Sequence, residues 1–264
     1  MTSARRGDMR LTVVGCHGGE TPKHRTSAFV LDGKLALDAG SLTSGLDLRA
    51  QAALEAVVVS HAHLDHIRDL ATIADNRCQL GCPPLQVAGT RGTLATLKKH
   101  FFNNKLWPDF SVIPSRERPT VVWVELPMEK TVVVGRWRVR AIPVSHTIEA
   151  AALIVSGAHG SVAYSGDTGP TARLWEVLAH EVPDLRALLM EVSFPDREQQ
   201  VATLSGHHTP RSLALDLRKL EAPKDLPTLL FHIKPFFQRE VERECAKLRG
   251  LNLTVLRLGD EIAL

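Results

Sequence analysis

Short apolar runs bounded by turns recur along the chain and predict β-strands. They cover residues 11–14, 28–31, 35–38, 56–59 and 85–88, with a longer β-rich block at 121–144. Two segments, 64–73 and 92–100, instead place apolar residues at helical spacing. Strand, loop and helix therefore alternate, and this order predicts an α/β fold.

No linker or low-complexity segment divides the sequence, so residues 1–264 are predicted to form a single domain, with residues 1–9 as a flexible tail. Hydrophobic residues make up 44% of the chain, which is typical of a globular core. The net charge is only +3, and 32 basic residues are interspersed with 29 acidic ones. This mixed surface gives no basis for a nucleic-acid partner.

The first eight residues lack the apolar stretch of an export signal, and no run reaches the ~20 apolar residues of a membrane helix. We therefore expect a cytoplasmic protein that is not attached to a membrane. In that compartment Cys16, Cys78, Cys82 and Cys245 are expected to stay reduced, and Cys78 and Cys82 are interpreted as packing residues.

Three histidines and an aspartate crowd into the six residues after the strand-like run 56–59. The segment reads His61-Ala62-His63-Leu64-Asp65-His66. Imidazole and carboxylate are preferred ligands of Zn²⁺ and similar ions, so the cluster predicts a metal site. A helix beginning within it would hold Asp65 and His66 on its first turn.

Two metals need more ligands than this hexapeptide offers, and three further strand-like segments end in suitable residues. His146 follows 139–145, Asp167 follows 161–166, and His232 follows 227–231. Each residue alone is typical of a turn or cap. Their shared strand-end position favours a dinuclear metal set.

The HxHxDH segment followed by single His, Asp and His residues resembles the metallo-β-lactamase superfamily, over nearly the whole chain. The resemblance implies an αββα sandwich and two divalent ions, with Zn²⁺ expected and Mn²⁺ or Fe²⁺ as alternatives. It also implies a division of ligands: His61, His63 and His146 for one metal, Asp65, His66 and His232 for the other, and Asp167 as the bridge. Asp38 matches the residue that supports the metal loop without binding metal.

Further residues favour phosphate-ester chemistry. A bridging carboxylate such as Asp167, rather than a cysteine, brings two hard-leaning metals together. Glu191 and the Gly206-His207 pair resemble the phosphodiesterase branch, where the glutamate tunes the histidine to protonate a leaving oxygen. Tyr164, the one tyrosine, keeps lactone hydrolysis open as an alternative.

Three passages resemble the class II cyclic-nucleotide phosphodiesterases: Leu64 within the metal motif, residues 102–111, and residues 232–235. The resemblance implies hydrolysis of a small 3′,5′-cyclic nucleotide, cyclic AMP or cyclic GMP, to a nucleoside 5′-monophosphate. Asp65 would orient the nucleophile, and His207, held by Glu191, would act as the acid.

Substrate contacts within this family pattern are assigned to Asn103, Trp107 and Lys234. Trp107 could stack on the nucleobase while Asn103 or Asn104 reads its edge. The alternatives for the aromatic cluster around Trp107 are core packing, a lid or a homodimer contact. The sequence departs from the family pattern at His208, where leucine is general, and at His17, where serine is common.

Two other functions stay open. Ribonuclease Z shares the metal set and the acid pair, but it usually inserts a long arm between the positions of His146 and Asp167, where only a hairpin fits here. A catalytically silent metal- or nucleotide-binding module is the second alternative, and its expected signature is loss of ligands. All seven candidate ligands are present.

Overall fold

The computed structural model describes residues 9–264 and contains two seven-stranded mixed sheets. In spatial order, the first sheet contains β14 (Glu261–Ala263), β1 (Arg10–Gly15), β2 (Ala28–Leu31), β3 (Leu35–Leu37), β4 (Ala56–Val58), β5 (Leu85–Gly89) and β6 (Val121–Glu125). The second contains β13 (Leu253–Val255), β12 (Thr228–Phe231), β11 (Leu185–Glu191), β10 (Gly160–Tyr164), β9 (Ala151–Gly157), β8 (Trp137–Pro143) and β7 (Thr131–Val134).

Each sheet begins as an antiparallel meander and continues as a parallel run. Strands β1 to β3 are antiparallel and β3 to β6 parallel; β7 to β10 are antiparallel and β10 to β13 parallel. The last strand, β14, returns to pair with β1. Parallel strands end at the same edge of their sheet, so the residues after them are gathered along that edge.

Helices connect the strands and cover the outer faces of the sheets. They are α1 (Leu42–Gly45), α2 (Leu48–Ala53), α3 (Leu64–Ile67), α4 (Leu70–Gln79), α5 (Arg91–Thr96), α6 (Arg173–His180), α7 (Gln199–Ser205), α8 (Pro210–Leu217) and α9 (Gln238–Cys245). A π-helical turn, Leu97–Phe101, extends α5.

The largest hydrophobic cluster lies between the two sheets. Each sheet also has one outer cluster, between the sheet and the helices that cover it. Strand β2 shows how one strand serves two layers: Phe29 faces the central cluster and Val30 the outer one. The Phe29, Tyr164 and Phe231 rings meet at centroid distances of 5.1–5.5 Å and join the sheets. The αββα sandwich predicted from the sequence is confirmed.

The predicted helix over 64–73 is wrong in one respect, because it is interrupted between α3 and α4. The backbone amide of Asp69 donates to Ala39 O at 2.8 Å instead of to a carbonyl of its own helix. Asp65 and His66 do lie on the first turn of α3, as predicted. The break binds α4 to the segment that follows β3.

Residues 1–8 of the predicted flexible tail (1–9) lie outside the described residues. Met9 is buried, with 1% of its surface exposed, and belongs to the central cluster, so the tail does not include it. Within residues 9–264, every helix is too short or too polar to cross a membrane. All four cysteines are unpaired, and Cys78 packs against the outer cluster of the first sheet.

Candidate metal centre

The predicted ligands all follow strands whose ends meet along one edge of the sandwich. His61 and His63 come from the loop after β4, and α3 begins directly after His63. His146 follows β8, Asp167 follows β10, and His232 follows β12. The first sheet and the second sheet therefore contribute to one cluster.

Two sets of donor atoms form, and they share Asp167. The atoms within each set lie within 4.8 Å of one another: His61, His63, His146 and Asp167 in the first, and Asp65, His66, His232 and Asp167 in the second. This division matches the one that the family resemblance implies. In the first set His63 presents Nδ1, which lies 3.1 Å from Nε2 of His61 and 3.1 Å from Nε2 of His146.

The spacing of these atoms fits metal coordination. Metal–nitrogen bonds of 2.0–2.1 Å in a tetrahedral site place neighbouring donors about 3.3 Å apart. In the second set, Nε2 of His66 and Nε2 of His232 each lie 3.2 Å from Oδ2 of Asp167. Within residues 9–264, the buried Nε2 of His66 and Oδ1 of Asp167 find no hydrogen-bond partner. Buried polar atoms are rarely left unpaired, and divalent metal ions would satisfy these two.

In His61, His146 and His232, the ring nitrogen that faces away from the cluster contacts an oxygen atom. Nδ1 of His61 donates to Ser60 Oγ at 3.0 Å, and Nδ1 of His146 donates to Gly206 O at 2.9 Å. Nδ1 of His232 lies 2.9 Å from Ser193 Oγ. Such bonds fix the tautomer and leave Nε2 free as a ligand.

Asp38 accepts four hydrogen bonds behind the cluster and is fully buried. Its donors are Ser60 N and Oγ, both at 2.7 Å, and His66 Nδ1 and Tyr164 OH, both at 2.6 Å. Asp38 has φ +58° and His232 has φ +67°. Positive φ is uncommon for residues other than glycine, and such strain is concentrated at functional sites.

Electrostatics in the cluster favour neutral imidazoles beside ionised carboxylates. Burial lowers the pKa of four ligand imidazoles, those of His61, His63, His146 and His232. Burial alone would raise the pKa of Asp167, but the neighbouring His232 and His66 hold it well below its usual range. Neutral imidazole and charged carboxylate are the forms that bind metal.

His66 differs from the other histidines. Burial disfavours its charge, yet Asp167 and Asp38 raise its pKa well above the usual range. The two carboxylates thus stabilise a cation at this position. A metal ion would occupy the same negative potential, and its binding would displace the proton.

The predicted acid pair is formed next to both donor sets. Nδ1 of His207 lies 3.0 Å from Oε1 of Glu191, and Glu191 is fully buried. The His207 ring stacks on His232 at 5.1 Å and lies 5.2 Å from the ring of His146. Burial raises the pKa of Glu191 to about 8 and lowers the pKa of His207 to about 4. These opposite shifts favour a neutral His207 ring beside a protonated Glu191.

Gly206 holds the loop of His207 against the loop of His146. It ends α7 with φ +68°, and an added Cβ would lie 2.9 Å from His146 Cα. Both the left-handed backbone and the close approach require glycine here. The carbonyl of the same residue accepts from His146 Nδ1.

Of the predicted substrate contacts, Lys234 lies two residues after the ligand His232. Its charge adds to the effect of burial in lowering the pKa of His207 and His232. The side chain of Asn103 is used within its own loop, where it bonds to Lys99 O and to the amides of Lys105 and Leu106.

Trp107 packs against the outer hydrophobic cluster of the first sheet. This placement favours the core-packing alternative, and stacking on a nucleobase stays a prediction. Tyr164 is fully buried, and its hydroxyl is bound to Asp38. The buried hydroxyl gives no support to a lactonase role.

The two departures from the family pattern are both buried. His17 is 6% exposed and accepts from Arg25 N at Nδ1. His208 is fully buried, with Nδ1 3.0 Å from Ser212 Oγ. Its Nε2 lies 3.7 Å from Asp216 Oδ2, which is too long for a hydrogen bond.

Sequence reasoning missed Ser60 and Ser193, whose hydroxyls hold the ligands. A signal for Ser193 was present: it lies two residues after Glu191 at a strand end, and alternate residues of extended chain face the same side. Ser60 directly precedes His61, where only the fold could show that it reaches Asp38.

An αββα sandwich with a histidine and aspartate cluster at its strand ends defines a metallo-β-lactamase type of hydrolase. A family model described as the beta-lactamase superfamily domain matches residues 39–233. The chain therefore belongs to the beta-lactamase superfamily, which confirms the resemblance predicted from the sequence.

Two relatives are similar over most of their length. A protein of Yersinia pestis named "Probable 3′,5′-cyclic-nucleotide phosphodiesterase" is 26% identical, over 96% of this chain and 85% of its own. A protein of Aliivibrio fischeri named "3′,5′-cyclic-nucleotide phosphodiesterase" is 27% identical, over 88% of this chain and 83% of its own.

Solved structures share the fold. Unliganded yeast PDE1 matches with a TM-score of 0.82 and 19% identity, covering 97% of this chain and 99% of its own. The short form of human tRNase Z matches with a TM-score of 0.71 and 17% identity, again over 97% and 99%.

Replacing Asp38 by asparagine should weaken metal binding about 10–100-fold, because Asn cannot accept all four of its hydrogen bonds. Asn tolerates positive φ, so the backbone should persist. Isothermal titration of the metal-free protein measures the effect. Tyr164→Phe, which removes a single donor, is the matched control and should cost less. Unchanged affinity in Asp38→Asn would contradict the role of Asp38.

Replacing His208 by leucine should make stability less dependent on pH. Burial lowers the pKa of His208 to about 4, below the 6.5 of a free histidine, so between these values the unfolded chain binds the proton. Stability is then lost as the pH falls from 6.5 towards 4, by up to about 1.4 kcal/mol per pH unit. Urea unfolding from pH 8 to 4.5 should show a shallower loss in the variant, and parallel curves would refute this account.

Proposed function

We propose that this protein is a dinuclear-metal phosphodiesterase that hydrolyses 3′,5′-cyclic nucleotides, cyclic AMP or cyclic GMP, to nucleoside 5′-monophosphates. The names of the two relatives support the substrate class, and the superfamily supports metal-dependent hydrolysis. The whole chain is proposed to work as one hydrolase domain on a small-molecule substrate.

Two divalent ions are the proposed cofactors, with Zn²⁺ expected and Mn²⁺ or Fe²⁺ as alternatives. His61, His63 and His146 would hold one ion, and Asp65, His66 and His232 the other; Asp167 would contact both. When bound, the ions supply Lewis acidity that neutralises the phosphate and lowers the pKa of water. The shared position of Asp167 in both donor sets supports this division.

The residues around the ions have separate tasks in this proposal. Asp65 is 32% exposed at its side chain, whereas Asp167 is buried, so Asp65 is the carboxylate available to orient the attacking water. Burial raises the pKa of Asp65, but the hydrogen bond with His232 and the charges of His66 and His232 together lower it below its usual value, so the carboxylate stays an acceptor. Lys234 would add positive charge beside the phosphate.

The observation that carries the proposal is the Glu191–His207 pair beside both donor sets. The 3′ oxygen of a cyclic nucleotide would depart as an alkoxide, which is a poor leaving group unless it receives a proton. With Nδ1 bound to Glu191, His207 has Nε2 available to give that proton. Glu191 can then return a proton to Nδ1, so that the ring does not become an uncompensated anion.

Ribonuclease Z is the rival assignment, and human tRNase Z shares the fold. The segment between His146 and Asp167 contains only the hairpin β9–β10. Its antiparallel pairing extends from the pair Leu153–Tyr164 to the pair Gly157–Gly160 next to the turn. No long arm is inserted among these described residues. The mixed surface charge also gives no support to a large RNA substrate.

Metal-loaded protein should hydrolyse cyclic AMP, and His207→Ala should slow this reaction about 10²–10⁴-fold. The same variant should slow hydrolysis of bis-(p-nitrophenyl) phosphate far less, because the p-nitrophenolate leaving group needs no proton. The rates of both substrates measure the difference. His180→Ala, at an exposed histidine of α6, is the matched control. Cleavage of the linear ester alone would keep a dinuclear hydrolase and refute the cyclic-nucleotide assignment.

Precursor transfer RNA should not be processed efficiently by the same metal-loaded protein. An endonuclease assay run beside cyclic AMP hydrolysis checks this, because the hairpin offers no arm to grip the RNA. Efficient cleavage of the precursor would replace the proposed substrate with RNA.

A silent binding module is disfavoured by the assembled ligands and acid pair. Metal analysis of gently purified protein distinguishes it, since well under one ion per chain would be incompatible with the proposed reaction. A cytoplasmic location and a homodimer stay predictions.

A further inference from the structure

One buried hydroxyl lies between the second donor set and the acid pair. Ser193 is fully buried just after the end of β11. Its Oγ lies 2.9 Å from His232 Nδ1, 3.0 Å from Glu191 Oε2, 3.1 Å from His232 O and 3.3 Å from His207 Nδ1. Within residues 9–264, no other side chain lies within hydrogen-bond distance of His232, Glu191 and His207 together.

The direction of each hydrogen bond in this network follows from counting donors and acceptors. His232 directs Nε2 into the second donor set with Asp65 and Asp167. With Nε2 serving as a metal ligand, Nδ1 carries the proton and donates to Ser193 Oγ. A serine hydroxyl has one hydrogen, and Glu191 Oε2 at 3.0 Å is the nearer of its two acceptors, the other being His232 O at 3.1 Å. Glu191 also becomes a charged and stronger acceptor once it gives its proton to His207. The hydrogen of Ser193 therefore goes to Glu191 Oε2.

The backbone of Ser193 joins the same segments independently of its side chain. Its amide donates to His208 O at 3.0 Å, and its carbonyl accepts from Lys234 N at 3.2 Å. These bonds hold the loop of His207 and the segment of His232 against β11. Removal of the hydroxyl should leave the fold in place and change only the alignment of the side chains.

We infer that Ser193 is a positioning residue that couples His232 to the Glu191–His207 pair. By accepting from His232 it fixes the tautomer that presents Nε2 to the metal. By donating to Glu191 it fixes the carboxylate whose other oxygen, Oε1, contacts His207. One hydroxyl thus aligns a metal ligand with the group that protonates the leaving oxygen, an inference that rests on the proposed function.

Ser193→Ala, Ser193→Thr and the control Ser161→Ala test this coupling. Ser161 is also a buried serine of the second sheet, but its hydroxyl bonds to Ser156 and Asp184. At saturating metal, Ser193→Ala should lower kcat for cyclic AMP about 10–100-fold with little change in KM. Hydrolysis of bis-(p-nitrophenyl) phosphate should fall much less.

Titration of metal-free protein with Zn²⁺ gives a readout that does not depend on activity. Ser193→Ala should weaken metal binding about 10–100-fold, and Ser193→Thr, which keeps the hydroxyl, should restore both affinity and kcat. The Thr variant keeps the test valid if the Ala variant unfolds. If Ser193→Thr folds but loses metal affinity or kcat, the inference is overturned.

The outcomes separate this inference from the proposed function. If the wild type hydrolyses cyclic AMP and Ser193→Ala matches Ser161→Ala in kcat and metal affinity, the coupling is refuted while the function stands. If the wild type does not hydrolyse cyclic AMP, the proposed function fails. The Zn²⁺ titration then still decides the role of Ser193 towards His232, and unchanged affinity in Ser193→Ala overturns it.

Discussion

The buried carboxylate of Asp38 is the constraint on which the centre depends. It belongs to the segment after β3 in the first sheet, yet one of its four donors, Tyr164, comes from the second sheet. Through Ser60 it aligns His61 of the first donor set, and directly it aligns His66 of the second. A buried charge persists only when it is well paired. The same bonds that satisfy Asp38 therefore join the sheets and orient both metal sets.

In the second sheet, loop oxygen atoms rather than a buried carboxylate orient the ligands His146 and His232. Gly206 O and Ser193 Oγ accept from His146 and His232, and both acceptors lie beside His207. The contacts that orient these two ligands thus also place the acid. Metal ligation and proton transfer share one set of loops, so a distortion of either is expected to affect the other.

Most of the fold and the ligand set could be predicted because their signals are local. Strands buried on both faces, such as β10 and β12, appear as nearly continuous apolar runs, and the ends of these runs located Asp167 and His232. The strand before His146, β8, alternates buried and more exposed residues, and its end located that ligand. The break after α3 could not be predicted, because it depends on the distant carbonyl of Ala39. Trp107 is similarly ambiguous from sequence, since an aromatic residue on a polar loop suits both a core and a binding surface.

The acid pair shows why burial and geometry must be considered together. Burial lowers the pKa of His207 to about 4, which by itself suggests a neutral ring that could not serve as an acid. Burial also raises the pKa of Glu191 to about 8, so the proton that the ring lacks is held 3.0 Å away. Transfer of the Nε2 proton to an alkoxide can be matched by transfer from Glu191 to Nδ1. The histidine then ends neutral and the glutamate ionised, facing the amides of Thr168 and His208 and the hydroxyl of Ser193, which stabilise its charge.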